Sequence, residues 1–210
     1  AMTGDPADPP TLPGYSSVDN STGLTAALGL LAQIVAGRGG QVDVSMQDVM
    51  LSQLNYRAAA FLNDGLEPKR YPYGAHSFYV PAQLFLTADG YLALFITHDA
   101  FWAAFAAEAG IEGFATLAER AARRDEVLKL VSAALATDTA LNWQERLRPL
   151  GLPVAAVRTL PEALQATPEA LVTAGAFRLV GSPIRIAGYE PEYRPAPALD
   201  EHAGAAAHSS

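Results

Sequence analysis

Two apolar runs in the middle of the chain constrain its fold more than any other feature. Residues 78–85 and 91–96 are rich in aromatic and β-branched side chains, and Thr87-Ala88-Asp89-Gly90 separates them. Asp-Gly between two such runs is a strong signal for a β-hairpin. Residues 101–150 are Ala-rich, with apolar positions at three- and four-residue spacing, which predicts three or four amphipathic helices after the hairpin.

The N-terminal third of the chain predicts helices. Residues 1–18 contain four prolines and predict an irregular segment, and apolar residues then recur at helical spacing over residues 24–35 until Gly37 ends the helix. Residues 42–44 predict a short strand. The apolar face over residues 46–61 predicts a second helix, which Asn63-Asp64-Gly65 ends.

The C-terminal part predicts short elements. Thr159 followed three residues later by Glu162 predicts a helix with a capping box, and Thr167-Pro168 predicts the start of another helix. Three further runs are strand candidates: residues 154–157, 177–180 and 184–186. Together with the middle of the chain, this pattern predicts a mixed α/β protein.

Composition argues against several classes of protein. The 14 Lys+Arg against 22 Asp+Glu give a net charge of −8, which argues against a nucleic-acid binder because phosphate neutralisation needs clustered cations. The chain has no cysteine, and His76, His98, His202 and His208 lack the spacing of metal ligands, so we expect no metal site. The longest apolar stretch, residues 24–36, is too short to cross a bilayer, so we expect a cytoplasmic protein that does not enter the membrane.

Asp19 is the first candidate functional residue. It stands just before the predicted first helix, in Val18-Asp19-Asn20-Ser21-Thr22-Gly23. A carboxylate at a helix start lies among free backbone amides, which keep it ionised and oriented. Such a residue can cap the helix or act as a nucleophile, and from the pattern alone the capping interpretation is favoured.

Motifs along nearly the whole chain resemble one family, the class III CoA-transferases, which include formyl-CoA transferase and the carnitine and bile-acid CoA-transferases. They are Asp19-Asn20-Ser21-Thr22-Gly23, residues 39–48, Pro81-x-Gln83-x-Phe85-x-Thr87-Ala88-Asp89-Gly90-Tyr91, Gly151-Leu152-Pro153-Val154, Pro183-Ile184-Arg185 with Gly188, and Arg194-x-Ala196-Pro197 with Glu201-His202. The resemblance implies an α/β fold that combines part of a nucleotide-binding-type body, residues 1–65 and 173–210, with a smaller α+β domain, residues 66–172, in an intertwined dimer.

The resemblance also implies the chemistry. An aspartate at the position of Asp19 is the covalent nucleophile of that family. It attacks an acyl-CoA thioester to give a mixed anhydride and then an aspartyl-CoA thioester, from which CoA passes to a second carboxylic acid. The expected substrates are therefore an acyl-CoA and a carboxylic acid, with coenzyme A as the thioester carrier and no metal.

Other site residues follow from the same resemblance. Gly74 and His76 lie where the family has a glycine-rich loop over the active site, although His76 could also be an ordinary surface histidine. Lys69 and Arg70 are candidates for contact with a CoA phosphate, or form a solvated charge pair. Asp99 lies where related racemases carry a glutamate, or it caps the helix that begins at Ala100.

The resemblance implies an additional N-terminal half with most of the CoA contacts, which we do not find in this sequence. We therefore expect the chain to act with a complementing N-terminal half or as a homo-oligomer, and Leu24, Leu28 and Leu31 to expose an apolar patch that drives a dimer or larger assembly. Two alternatives to CoA transfer stay open. The chain could be an epimerase similar to α-methylacyl-CoA racemase, or a non-catalytic partner subunit of a full-length homologue.

Overall fold

A computed structural model describes residues 2–201 of the chain. Contacts between Cα atoms divide it into two compact units, one up to Val157 and one from Arg158 onward. The division into 1–65 with 173–210 and 66–172 stays a prediction. His202, His208 and the end of the Glu201-His202 motif lie outside the described residues.

The predicted hairpin is confirmed in the first unit. Strand β1, Ala82–Leu86, pairs antiparallel with β2, Tyr91–Phe95, and β3, Val154–Ala156, adds to the other side of β2. The Thr87 N–H donates to Gly90 O at 2.9 Å and closes the turn. The first strand begins later than predicted because Pro81 has no N–H to donate to a ladder.

Four helices follow the hairpin, as predicted. In chain order they are α4 (Asp99–Ala109), α5 (Leu117–Ala122), α6 (Arg124–Leu135) and α7 (Ala140–Leu147). Alternation along β2 buries Leu92 and Leu94 and leaves Tyr91 and Phe95 partly exposed. The core also includes Phe85, Ile96, Trp102, Phe105, Val127, Val131, Leu135, Trp143 and Leu147.

The N-terminal part contains α1 (Ser17–Val35), α2 (Met46–Gln53) and α3 (Tyr56–Asp64). The helix predicted from Met46 to Phe61 is therefore two helices, because Asn55 has φ 47° and ψ −119°, which no helix accommodates. Gly37 does end α1: its φ is 62°, and the N–H groups of Gly37 and Arg38 donate to Ile34 O and Gln33 O, both at 3.0 Å.

The strand predicted at residues 42–44 is wrong. These residues pair with no strand in the part of the chain that the structure describes. Val42 instead lies against α1 at Gly29, where a Cβ atom would come within 2.8 Å of Val42 Cγ1. The apolar character of the segment is thus used in packing against a helix rather than in a sheet.

The second unit is small. Helix α8, Leu160–Ala166, begins with the predicted capping box, in which Thr159 and Glu162 each accept from the other's N–H. The helix predicted at Pro168 is one 3₁₀ turn, Pro168–Ala170, and leads into β4, Leu171–Ala174, which the sequence did not predict. β4 pairs antiparallel with β5, Phe177–Val180, as expected for the latter. The strand predicted at residues 184–186 is wrong, since only a single bridge joins Ile186 to Tyr189 there.

Candidate functional site

Asp19 lies in the first turn of α1 and not before the helix. Ser16 is the N-cap residue, and the first helical hydrogen bond runs from the Asn20 N–H to Ser16 O at 3.0 Å. The capping interpretation of Asp19 is therefore wrong, because the N-cap lies three residues before the position that the sequence predicted. The carboxylate is exposed, and within residues 2–201 it forms no hydrogen bond and no ion pair. The helix dipole favours a negative charge at this position.

The hydroxyl groups that follow Asp19 serve the helix itself. Thr22 Oγ1 donates to Val18 O at 2.8 Å, and Thr25 Oγ1 donates to Ser21 O at 2.9 Å. Both are the four-residue back-bonds that Thr makes inside helices. The backbone amides of Val18 and Asp19 precede the first helical bond, so they are the donors left open at this helix end.

The loop after α3 carries the predicted phosphate-contacting cations. Arg70 Nη1 donates to Pro9 O at 3.2 Å, so Arg70 is held by the N-terminal segment instead of forming a solvated pair with Lys69. Lys69 is exposed and lines a cavity of about 260 Å³ together with Arg57, Tyr71 and Phe78. Glu67 lines the same cavity, so its charged lining is two cations and one carboxylate, and the excess of one positive charge favours an anionic group.

Gly74 is fixed by its backbone conformation. It follows Tyr73, which has φ 56°, and itself has φ 67°, so two consecutive residues of this loop are left-handed. No atom lies within 4 Å of the position that a Cβ would take at Gly74. The glycine is therefore needed for the turn, not for the close approach of a neighbouring group.

His76 is half-buried in an aromatic cluster and not free on the surface. Its Nδ1 accepts from the Phe78 N–H at 3.1 Å and the Tyr79 N–H at 3.2 Å, so the neutral ring carries its proton on Nε2. Nε2 lies 3.0 Å from Tyr56 Oη, which therefore accepts that proton in a hydrogen bond. Stacking of the His76 ring against Tyr56, at a centroid distance of 5.7 Å, completes the contact.

The charge state of His76 follows from these neighbours. Burial lowers the pKa of His76, and the positive charges of Arg57 and Arg124 lower it further. Protonation of Nδ1 would also break two hydrogen bonds from backbone N–H groups. His76 is accordingly a neutral donor through Nε2.

Asp99 has a structural partner that the sequence did not indicate. Asp99 is the first residue of α4, and His98 takes the N-cap position, so the capping prediction for Asp99 is wrong. Its carboxylate accepts from Arg120 Nη2 at 2.8 Å, and Arg120 is fully buried. Arg120 also donates to three backbone carbonyl groups: Val80 O at 2.9 Å, Phe114 O at 3.0 Å and Ala115 O at 3.2 Å. No sequence pattern marks an arginine that is buried by carbonyls from distant segments.

The predicted site residues come together only in part. Lys69, Arg70, Gly74 and His76 lie in one segment between α3 and β1. Arg124, which the sequence did not single out, holds this segment because its Nη2 donates to His76 O at 3.0 Å. Among the described residues, no hydrogen bond or ion pair links Asp19 to Lys69, Arg70, Gly74 or His76.

Comparison with models of protein families shows which family the chain belongs to. The model of CoA-transferase family III matches residues 1–203. The chain belongs to CoA-transferase family III. This confirms the resemblance seen in the sequence.

Several family III relatives are CoA-transferases by name. The chain is 32% identical over 178 residues to an acyl-CoA transferase of Fusarium pseudograminearum, covering 80% of this chain and 39% of the relative. It is 28% identical over 220 residues to acetyl-CoA:oxalate CoA-transferase of Acetobacter aceti, covering 97% and 56%. It is 27% identical over 221 residues to succinyl-CoA:glutarate CoA-transferase of Mus musculus, covering 96% and 50%. The chain thus spans about half the length of the curated relatives it matches.

Solved structures confirm the predicted class III CoA-transferase fold. A CaiB/BaiF family protein of Brucella suis superposes with a TM-score of 0.75 at 24% identity, over 98% of this chain and 58% of the other. An aspartate-to-alanine variant of a Mycobacterium tuberculosis protein gives a TM-score of 0.81 at 22% identity, over 100% and 60%. At these identities the likeness concerns the fold.

Two features are absent from the described residues of this family III chain. Between residues 2 and 201, no group of three or more His, Asp or Glu side chains is arranged to hold a metal ion. In the same range, no helix combines the length and the apolar character that a membrane crossing requires.

Proposed function

We propose that this chain carries the nucleophile of a CoA-transferase that moves CoA from an acyl-CoA donor to a carboxylic acid acceptor. The observation that carries the proposal is the family III match over residues 1–203. Asp19 supports it, because an exposed carboxylate without a partner in the first turn of α1 is open to an incoming thioester. Named relatives act on acetyl-CoA with oxalate and on succinyl-CoA with glutarate, so we place the substrates among small carboxylic acids and their thioesters.

The proposed reaction has four exchanges at carbonyl carbons. The Asp19 carboxylate attacks the acyl-CoA carbonyl, the C–S bond breaks, and CoA leaves as a thiolate from a mixed anhydride. The thiolate attacks the aspartyl carbonyl of that anhydride, so that the donor acid leaves and an aspartyl-CoA thioester forms. The acceptor carboxylate attacks this thioester and releases the thiolate again, which finally attacks the acceptor's acyl carbonyl and restores the Asp19 carboxylate.

The start of α1 suits such chemistry. The positive end of the helix dipole favours the carboxylate before attack. The open amides of Val18 and Asp19 are donors of the kind that stabilise an oxyanion as it develops on a tetrahedral intermediate. The function does not require Asp19 to cap the helix, and the structure assigns the cap position to Ser16.

The loop residues supply the proposed contacts with CoA. Lys69, beside Arg57 in a shared cavity, is proposed to bind a CoA phosphate, with Arg70 as its neighbour on the chain. Gly74 and His76 are proposed to line the active-site loop, where the neutral Nε2 donor of His76 holds Tyr56 in place.

Assembly is the second part of the proposal. We propose that the chain works as an intertwined homo-oligomer or with a complementing N-terminal half, because α1 contains no buried residue and exposes Leu24, Leu28 and Leu31. This exposure confirms the predicted apolar patch. The cytoplasm is the location that we propose for the chain. Sedimentation at micromolar concentration is expected to give a dimer or a larger species, and a single monomeric species would contradict the assembly.

Trapping the covalent intermediate tests the nucleophile. The chain, together with a complementing N-terminal half from a family III homologue, is incubated with acetyl-CoA or succinyl-CoA and quenched with hydroxylamine or borohydride. The sequence has no Lys or Arg before Arg38, so the first tryptic peptide, residues 1–38, contains Asp19. We expect an adduct on this peptide that Asp19→Asn abolishes, while folding changes by less than about 1 kcal/mol.

Asp8→Asn is the matched control, because Asp8 is exposed and lies in the same peptide. That variant should retain the adduct. If Asp19→Asn still turns over at near the wild-type rate, with deamidation excluded by mass, the nucleophile assignment is wrong. Exchange of the substrate's α-hydrogen with solvent deuterium in the absence of any adduct would favour a racemase-like epimerase. The absence of both the adduct and the exchange would favour a non-catalytic subunit.

A further inference from the structure

One side chain of α6 contacts both ends of the loop formed by residues 72–75. After the loop, Arg124 Nη2 donates to His76 O and to Ser77 O, both at 3.0 Å. Before the loop, the guanidinium group of Arg124 lies over the Tyr71 ring, 5.1 Å from the ring centroid. The edge of the guanidinium group thus binds one end of the loop and its face binds the other, which is a use that requires a planar cation.

The two carbonyl groups depend on this arginine. Among residues 2–201, no other hydrogen bond reaches His76 O or Ser77 O. Both contacts with Arg124 are partly buried, and hydrogen bonds from a charged donor are stronger than those between neutral groups. Removal of the guanidinium group therefore releases the end of the loop.

The conformation of the loop shows that it needs such a restraint. Tyr73 has φ 56° and ψ 24°, a left-handed backbone that costs free energy in a residue with a Cβ atom. Residues 72–74 are exposed, and in the described part of the chain no hydrogen bond joins them to a residue outside the loop. Strained residues persist where the surrounding structure fixes them, and here the anchored ends of the loop supply that restraint.

We propose that Arg124 is a positioning residue for the CoA transfer, and that it acts by holding the loop of residues 72–75 in place over the active site. This inference rests on the proposed function, in which Gly74 and His76 line that loop. A loop that is fixed before the substrate arrives keeps its contacts in register, and small displacements of such contacts slow the chemical step. Loss of Arg124 should therefore lower kcat more than it raises KM.

Cleavage by chymotrypsin after Tyr73 measures the state of the loop without any substrate. Arg124→Ala should be cut there about tenfold faster than the wild type, because a protease needs local opening of the chain around the bond that it cuts. Arg123→Ala is the matched control, because Arg123 is the neighbouring arginine and pairs with Glu126 outside the loop. The control should be cut at the wild-type rate, and an unchanged rate in Arg124→Ala would overturn the proposal.

Chemical rescue tests whether the guanidinium group itself is needed. Ethylguanidinium supplies the atoms that Arg124→Ala removes, and it can enter because Arg124 is half-buried and lines a cavity of about 270 Å³. The chain with its complementing N-terminal half is assayed with succinyl-CoA as the donor. We expect Arg124→Ala to lower kcat about tenfold and to change KM less than about twofold. Ethylguanidinium should restore kcat and slow the cleavage, whereas ethylammonium, which has the charge without the planar group, should do neither.

The outcomes separate this inference from the proposed function. If the wild type forms neither an adduct nor a product, the CoA transfer is wrong, and the role of Arg124 in it is wrong as well. If the wild type turns over and Arg124→Ala has the same kcat, or ethylammonium restores it equally well, only the positioning role is wrong. Arg124→Lys takes the place of Arg124→Ala if the latter does not fold, and it should show the same two changes to a smaller degree because it keeps the charge without the planar face.

Discussion

The helical segment over residues 17–64 and the sheet-and-helix region over residues 75–157 belong to the same unit but bury their apolar side chains very differently. In the first, Val49 is the only residue that is buried. In the second, a continuous core joins both strands of the hairpin to α4, α6 and α7. α1 nevertheless also carries apolar residues at three- and four-residue spacing, and it is more apolar as a whole than α6.

Hydrophobic periodicity is often taken to show both which face of a helix is apolar and that this face is buried. The two regions show that these are separate properties. Spacing of three and four residues identifies which face of a helix is apolar. Burial of Val127, Val131 and Leu135 confirms that face for α6, whereas α1 contains no buried residue. Whether this chain itself covers that face depends on the rest of the fold. Residues 75–157 supply a sheet for α6 to pack on, whereas Leu28 on α1 stays 67% exposed.

The largest expected effect tests what holds the region 75–157 together. Arg120→Met should lower the free energy of unfolding by about 3 to 5 kcal/mol, because the buried hydrogen bonds to Val80 O and Phe114 O and the partly buried one to Ala115 O are lost, and Asp99 loses its partner. Chemical denaturation measures the loss. Arg123→Met is the control, because Arg123 lies three residues further along the chain and its side chain is exposed. Its effect should be far smaller, and equal losses for the two variants would show that burial of Arg120 is unimportant.

The second prediction sets the two regions against each other directly. Leu94 is 0% exposed, so Leu94→Ala should cost about 3 kcal/mol through lost burial and the cavity it leaves. Leu28→Ala should change the stability of the monomer by no more than about 0.5 kcal/mol. Denaturation at low protein concentration measures both, and a large cost for Leu28→Ala would mean that α1 is buried in solution by a partner or a second copy.

The sequence predicted most of the fold where the signals are local. The Asp89-Gly90 turn, the glycine after α1 and the Thr159–Glu162 capping box depend on neighbouring residues, and all three formed as expected. The missed features depend on contacts between distant residues. β4 has no strong local signal and is defined by its pairing with β5, and residues 42–44 have a β-like composition that packs on a helix instead.

The residues of the candidate site show the same contrast between local signals and contacts with distant residues. Asp19 was located within one turn of the start of its helix, but the predicted helix start was three residues too late, and that offset decides whether a carboxylate caps the helix or projects from it. Arg120 and Gln83 were not recognised as buried polar groups, because the groups that surround them come from segments up to 40 residues away. Only the alternation of β1 could have indicated that Gln83 faces the core.

The smallest expected effect concerns the contact between the two regions, where Tyr56 of α3 meets His76. The unfolded chain takes up a proton on this histidine near its ordinary pKa of 6.5, whereas burial and the charges of Arg57 and Arg124 keep the folded pKa lower. In the window between these values the unfolded state binds more protons. The free energy of unfolding should therefore decrease as the pH falls from 6.5 through the folded pKa, and should change little from this source above 6.5.

The matched variant for this contact is His76→Gln, which retains an acceptor for the Phe78 and Tyr79 N–H groups and a donor for Tyr56 but does not titrate. Its thermal midpoint should depend less on pH between 5 and about 6.5 than that of the wild type. An NMR titration should place the His76 pKa below 6.5, with the proton of the neutral ring on Nε2. A pKa at or above 6.5, or a neutral ring protonated on Nδ1, would mean that the backbone donors and Tyr56 do not hold the ring in solution, and that α3 contacts the region 75–157 without this hydrogen bond.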